Sequence, residues 1–163
     1  MRQKTIRDAQ FRALEAMYLS APINQFYRPR IVISKEQVEI DIDQRFFHPA
    51  GAVHGSVYFK LLDDAAGLAA NVLEREVFAV TASFTTHMTR PVSGPLMRSV
   101  GRVVDQTRSQ FLVESIVYDH NQRSVGRGNG VFMRDQSVWL THWGIVLSQS
   151  NDSALWITLR SSR

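Results

Sequence analysis

The sequence predicts an α+β fold, one long buried helix covered by an antiparallel sheet, and three observations predict it. The stretch "HGSVYFKLLDDAAGLAANV" is apolar nearly all the way round a helix. Runs of alternating apolar and polar residues flank it, as half-buried strands do. The later runs follow one another through short polar connections, so a single central helix has an antiparallel sheet to cover it.

The elements follow in order. Residues 4–20 place Ile6, Phe11, Leu14, Met17 and Tyr18 at near-helical spacing, which predicts an amphipathic opening helix. "APINQFYRP" then breaks it with two prolines. "RIVISKEQVEIDID" ends with Val38, Ile40 and Ile42 on one face and Glu39, Asp41 and Asp43 on the other, a half-buried strand. In the central helix Val57, Tyr58, Phe59, Leu61, Leu62, Leu68 and Val72 go all the way round, and Ala65, Ala66, Gly67, Ala69 and Ala70 let a sheet approach closely. "VFAVTASFTTHMTRP" alternates again, with Phe78, Val80, Ala82, Phe84 and Met88 on one side and Ala79, Thr81, Ser83, Thr85 and His87 on the other. After the "SGP" turn come three more strand-like runs, "LMRSVGRVVD", "QFLVESIVYD" and "RSVGRGNGVFMR". In the last run Gly126, Gly128 and Gly130 leave one face bare, as if a helix or a partner lay flat upon it. No internal repeat or low-complexity segment interrupts this order.

Composition excludes several classes of function. At 163 residues the chain suits one domain with a proper core. Without Cys there is no disulfide, thiolate metal site or cysteine nucleophile. Charges scatter through "MRQKTIRDAQF", where a signal peptide needs an apolar core, and no run approaches the roughly 18 apolar residues of a membrane span. A soluble, cytoplasmic protein is expected. Of the 19 basic residues 16 are Arg, spread from Arg2 to Arg163 without a basic cluster or nucleic-acid motif. They read as surface charge or as contacts to a phosphate-bearing small ligand. The five His show no metal-ligand spacing, so no metal site is expected. "HGSVY" lacks the second glycine of G-x-S-x-G, which sets a serine hydrolase aside.

Two features of the central helix carry chemistry. A helix start has unpaired N–H groups and a partial positive charge, and "PAGAVHGS" offers none of the usual capping residues before His54. The N–H of Gly55 is therefore a candidate donor to a ligand oxygen or a developing oxyanion, unless water or the His54 side chain satisfies this turn. Further along, Asp63 and Asp64 sit in an apolar helix where carboxylates are costly. Lys60 can pair with Asp64 at i,i+4. Asp63 points about 100° away with no obvious partner, a candidate base or nucleophile.

"HGSVYFKLLDD" resembles the "HGG…D" signature of hotdog-fold acyl-CoA thioesterases, in the branch related to the phenylacetate-degradation thioesterase. "RPVSGPL" and "SVGRGNGVFMR" are similar to that branch's turn and last strand, so the resemblance covers roughly residues 38–134. It implies a long helix wrapped by a curved antiparallel sheet, a homodimer or dimer of dimers, and an active site at the dimer interface. It implies Asp63 as catalytic carboxylate, Gly55 as oxyanion donor and His54 beside the thioester of an acyl-CoA, without metal or redox cofactor. His48 stands where the family usually has Asn; a neutral imidazole also donates one hydrogen bond but adds pH dependence. Thr81 falls where some members have a hydroxyl assisting the attacking water, and it also reads as an ordinary strand Thr. Arg90, Arg98 and Arg127 are candidates for the coenzyme A phosphates.

Two rivals stand beside acyl-CoA hydrolysis. A non-catalytic acyl-CoA sensor would bind without turnover, and the His48 replacement keeps it open. A dehydratase or hydratase on the same fold would want a His with an acidic partner, a signature not seen here. The expected division is an N-terminal helix and linker over 1–29, the hotdog domain over 30–135 and an atypical extension over 136–163. That extension holds Trp139, Trp143 and Trp156, and could add an edge strand or cover a partner surface.

Overall fold

The computed structural model describes residues 2–135, 145–149 and 155–159, with side chains described over 9–134. Helix α1 spans Arg2–Ser20, and strands β1 (Arg30–Val32) and β2 (Gln37–Asp41) precede the long helix α3 (Gly55–Leu73). The "APINQFYRP" segment does more than break α1. Pro22 opens a short helix α2 (Pro22–Tyr27), because the proline's missing N–H would have been unpaired in a first turn anyway. After α3 come β3 (Phe78–Met88), β4 (Leu96–Gln106), β5 (Gln110–Asp119) and β6 (Ser124–Asp135).

These six strands form one curved antiparallel sheet in the order β1-β2-β4-β5-β6-β3, the expected α+β architecture. β3, next in sequence to α3, therefore lies at the sheet's outer edge beside β6. Val38 and Ile40 of β2 point inward against Leu61, Leu62 and Met97, a core in which each such side chain contributes roughly 1.5–3 kcal/mol. The small residues of α3 do what their size suggests. A Cβ on Gly101 of β4 would lie 2.1 Å from the Ala65 carbonyl oxygen, so only glycine lets helix and sheet meet here.

α3 is less uniformly buried than its composition predicts. Phe59 is 42% exposed and meets Phe84 of β3 edge-on at 5.8 Å between ring centroids. Phe84 in turn covers the bare glycine face of β6. Its ring fills the space over Gly128 and Gly130, while Tyr58 of α3 lies nearest Gly126 after Val117 and a backbone oxygen.

β3 also departs from simple alternation. The ladder with β6 shifts register between Thr81 and Ser83, leaving Ala82 as a bulge. A bulge flips the side-chain phase. Before it, Ala79 is buried and Thr81 reaches α3; after it, Phe84 faces the core. Thr81 and Phe84 thus share the helix side, although strict alternation puts them on opposite sides.

The far end of α3 is tied down by side chains. Asn71 donates to the Gly67 and Ala79 carbonyls and accepts from the Ala79 N–H, pinning β3 to the helix. Gln10 of α1 donates to the carbonyls of Asn71, Val72 and Glu74, caring for helix-end acceptors that would otherwise be orphaned. Within the extension, β7 (Ile145–Gln149) and β8 (Leu155–Leu159) pair with each other as a separate two-stranded sheet. Trp139 and Trp143 lie outside the described residues, and Trp156 stands in β8.

Candidate active site

The adjacent carboxylates of α3 have different surroundings. Asp64 Oδ2 accepts from both the Tyr18 hydroxyl and the Lys60 ammonium, which also lies 5.1 Å from the centre of the Tyr18 ring. Burial pushes the Asp64 carboxyl up, and Lys60 and Tyr18 pull it back. The expected i,i+4 pair is present, and Tyr18 joins it from 46 residues away.

Asp63 has a thinner set of partners. The Thr81 hydroxyl donates to it, 3.0 Å from Oδ1 and 3.3 Å from Oδ2. Burial raises its carboxyl to about 6; the Thr81 hydrogen bond opposes this, and the neighbouring Asp64 adds to it. A carboxylate in that range accepts a proton near neutral pH. It opens into a cavity of about 350 Å³ between α1, α3 and the start of β3.

The second group of predicted residues gathers at the start of α3. His54 caps the helix: its Nδ1 accepts from the Ser56 N–H at 3.1 Å, and its carbonyl accepts from the Val57 N–H at 3.0 Å. His is an unusual cap, which is why the turn reads as uncapped in sequence. The cap leaves the first N–H open. Among the described residues nothing accepts from the Gly55 N–H. Gly55 lines a smaller cavity of about 270 Å³ with His48, Tyr58, Met88 and Arg90. His48 Nδ1 accepts from the Ala50 N–H at 3.1 Å, so in the neutral ring Nε2 carries the proton and is a donor.

Not every candidate joins these cavities. Arg90 lines the smaller one, its Nη1 donating to the Ser124 carbonyl at 2.7 Å. Arg98 donates to Gln122 and stacks over Tyr118 at 5.5 Å, on the sheet face away from α3; Arg127 of β6 is exposed and lines neither cavity. The bulge at Ala82 and the Tyr18 contact are the parts of the site that sequence reasoning missed, and the His54 cap is the alternative it left open for this turn. Among the described residues no three of His, Asp or Glu gather as a metal-binding group, and no helix is long and apolar enough to cross a membrane.

Comparison with known proteins places this geometry in context. Residues 50–125, which contain α3, Gly55, Asp63, Thr81 and Arg90 but not His48 or Tyr18, match the family model of the thioesterase superfamily. By sequence, no curated protein matches the chain. By structure, it is similar to a Bacillus halodurans protein solved with CoA, at 24% identity and a TM-score of 0.66 over 78% of this chain and 84% of that one. It is similar to the E. coli PaaI protein of the phenylacetic acid degradation operon, at 18% identity and a TM-score of 0.69, covering 77% and 93%. A Shewanella oneidensis protein related to the thioesterase superfamily gives 16% identity and a TM-score of 0.72, covering 80% and 98%. The central helix, the wrapped sheet and the matched segment agree: the chain has the hotdog fold, and its residues 50–125 are similar to the thioesterase superfamily.

Proposed function

We propose that the protein hydrolyses an acyl-CoA thioester to the free acid and CoA, with Asp63 as the working carboxylate. The observation that carries this is Asp63 itself: half-buried, bonded by Thr81, raised to about 6 and open to a cavity, beside an Asp64 that is fully engaged. The match of residues 50–125 to the thioesterase superfamily supports thioester chemistry in general, and the CoA in the Bacillus halodurans structure supports a CoA ester.

In this reading Asp63 takes a proton from a water attacking the thioester carbonyl, or attacks that carbonyl itself. The oxyanion that develops is met by the Gly55 N–H, and as the C–S bond breaks the departing thiolate takes the proton that Asp63 removed from the water. On the nucleophilic route it takes a proton from the water that then hydrolyses the acyl–Asp63 anhydride to the free acid. His48 Nε2–H is placed in the same cavity to orient the carbonyl, and Arg90 at its rim to meet a phosphate. Arg98 and Arg127 would contact coenzyme A only from outside these cavities. His54 acts as the cap that orders this turn.

One chain cannot bring the two halves together. Gly55 and Asp63 are eight residues apart on one helix, roughly 12 Å, too far for a single carbonyl carbon to touch both. β3 offers the remedy. It is an 11-residue outer strand, mostly exposed, and such an edge is a template for pairing. Two copies paired antiparallel along β3, in the register that sets Thr81 of one opposite Met88 of the other, bring Asp63 of one copy toward Gly55 of the second, because Met88 lies against Gly55. The working unit is therefore a homodimer, or a dimer of dimers.

The test is turnover of short, long and aromatic acyl-CoAs by the wild-type protein, followed by free-thiol release, with binding measured in parallel. Thiol release establishes the enzyme. Tight binding of acyl-CoA without release on any substrate overturns it and favours the sensor, which the His48 position keeps open.

A further inference from the structure

The larger cavity runs two turns along α3, from Asp63 near one end to Asn71 near the other, about 12 Å. Leu14 and Met17 of α1, with Ala21 just after it, form one wall, and Phe78 and Phe132 contribute aromatic surface. Its polar atoms away from Asp63 are largely spoken for. The Tyr18 hydroxyl is committed to Asp64. Both ends of the Asn71 amide are bonded to backbone, through Gly67 and Ala79. Only the Asp63 end, where Thr81 also stands, keeps a polar group that chemistry can use.

We propose, resting on the thioesterase reading above, that this cavity receives the acyl group and selects an unsubstituted hydrocarbon, with α1 as the wall that limits its size. The thioester carbon sits at Asp63 and the hydrocarbon runs toward Asn71. A cavity of about 350 Å³ is at the small end of the roughly 300–1,000 Å³ typical of ligand sites. An apolar cavity of about 150 Å³ already takes a benzene ring, so the space fits a ring on a short linker or a straight chain of medium length. A hydroxyl at the far end of such a group would leave water and find its potential side-chain partner there, Asn71, already engaged.

The first arm of the test uses the wild-type protein. Hexanoyl-CoA against ω-hydroxyhexanoyl-CoA, and phenylacetyl-CoA against its para-hydroxy derivative, are compared by kcat/KM from thiol release. The hydroxylated member of each pair is expected to be slower by roughly tenfold to a hundredfold. Met17→Trp, which fills the α1 wall, is expected to penalise the longer acyl groups more than acetyl-CoA. Equal kcat/KM within both pairs overturns the acyl-pocket assignment while leaving the thioesterase intact, and so does a Met17→Trp loss that is the same for every chain length. If no thioester is hydrolysed although each binds, the thioesterase reading fails and takes this assignment with it.

Discussion

On one face of α3, Asp64 meets the Tyr18 hydroxyl and the Lys60 ammonium; on the face beside it, Asp63 meets the single hydroxyl of Thr81. The two residues share a sequence context and an apolar helix, yet burial is answered differently in each. Around Asp64 a cation and a hydroxyl oppose the cost of taking a charge out of water without cancelling it, and these bonds tie α1 to α3. Around Asp63 the cost is left partly standing, and a carboxylate in that condition is a better base. The difference lies in neighbours that the chain brings from far away, Tyr18 to one and Thr81 to the other.

Substitutions that exchange or remove these neighbours test the comparison, and the largest effect is expected from Asp64. Asp64→Ala leaves Lys60 without its partner in a site where both side chains are only 13% exposed, and we expect a loss of about 3 kcal/mol or more, read as a lower denaturant midpoint. A stability change under about 1 kcal/mol would show that the pair is not structural. Next comes the other half of the site. Gly55→Pro removes one N–H and its backbone suits the fold, since proline fits a first helical position and His54 before it is already extended at φ −65 and ψ 146. Its Cβ would lie 2.9 Å from Met88 Cε, so the flexible Met88 end must shift, and Gly55→Ala, which adds the same Cβ but keeps the N–H, is the control. Turnover should fall roughly 100- to 1,000-fold, while circular dichroism stays that of the wild type. Unchanged turnover would remove the Gly55 N–H from the chemistry.

Thr81→Val takes away the hydrogen bond that holds the Asp63 carboxyl down, so its pKa should rise further. The acidic limb of kcat/KM, expected near pH 6 in the wild type, then moves to higher pH, with a loss on the order of tenfold at neutral pH. A limb that stays in place would assign it to another group. The smallest effect concerns stability. Asp63 titrates at about 6 in the folded protein and near 4 when unfolded, so the folded state holds its proton more tightly, and stability falls as pH rises between those values. Asp63→Asn should therefore raise Tm above pH 6, and the gain should vanish below about pH 4. A lower Tm at pH 8 would mean that the Asp63 charge is stabilised in the fold after all.

The sequence made the helix, the strand succession and the Lys60–Asp64 pair legible, because each depends on spacing along the chain: apolar residues round a helix, alternation in a strand, a pair at i,i+4. What it hid depends on contacts at a distance or on a single irregular residue. Alternation alone sets Thr81 apart from Phe84, and the bulge at Ala82 that reunites them leaves no compositional mark. Tyr18 reads as one more apolar-face residue of α1, and its hydroxyl acquires meaning only when α1 is laid across α3. The His54 cap stayed one alternative among others in sequence because cap preferences are statistical and an imidazole rarely plays that part. Three arginines were equally plausible phosphate contacts in sequence; Arg98 and Arg127 stand on strands outside both cavities, and Arg90, in the connection after β3, lines the smaller one.

The most direct test of this division between the two carboxylates is thiol release from one acyl-CoA by Asp63→Asn and Asp64→Asn, each normalised to folded protein. Asp63→Asn should remain folded and lose roughly 100- to 10,000-fold in rate, whereas Asp64→Asn should show its main loss in stability. Wild-type turnover by folded Asp63→Asn, or a comparable collapse of rate in folded Asp64→Asn alone, would contradict the account.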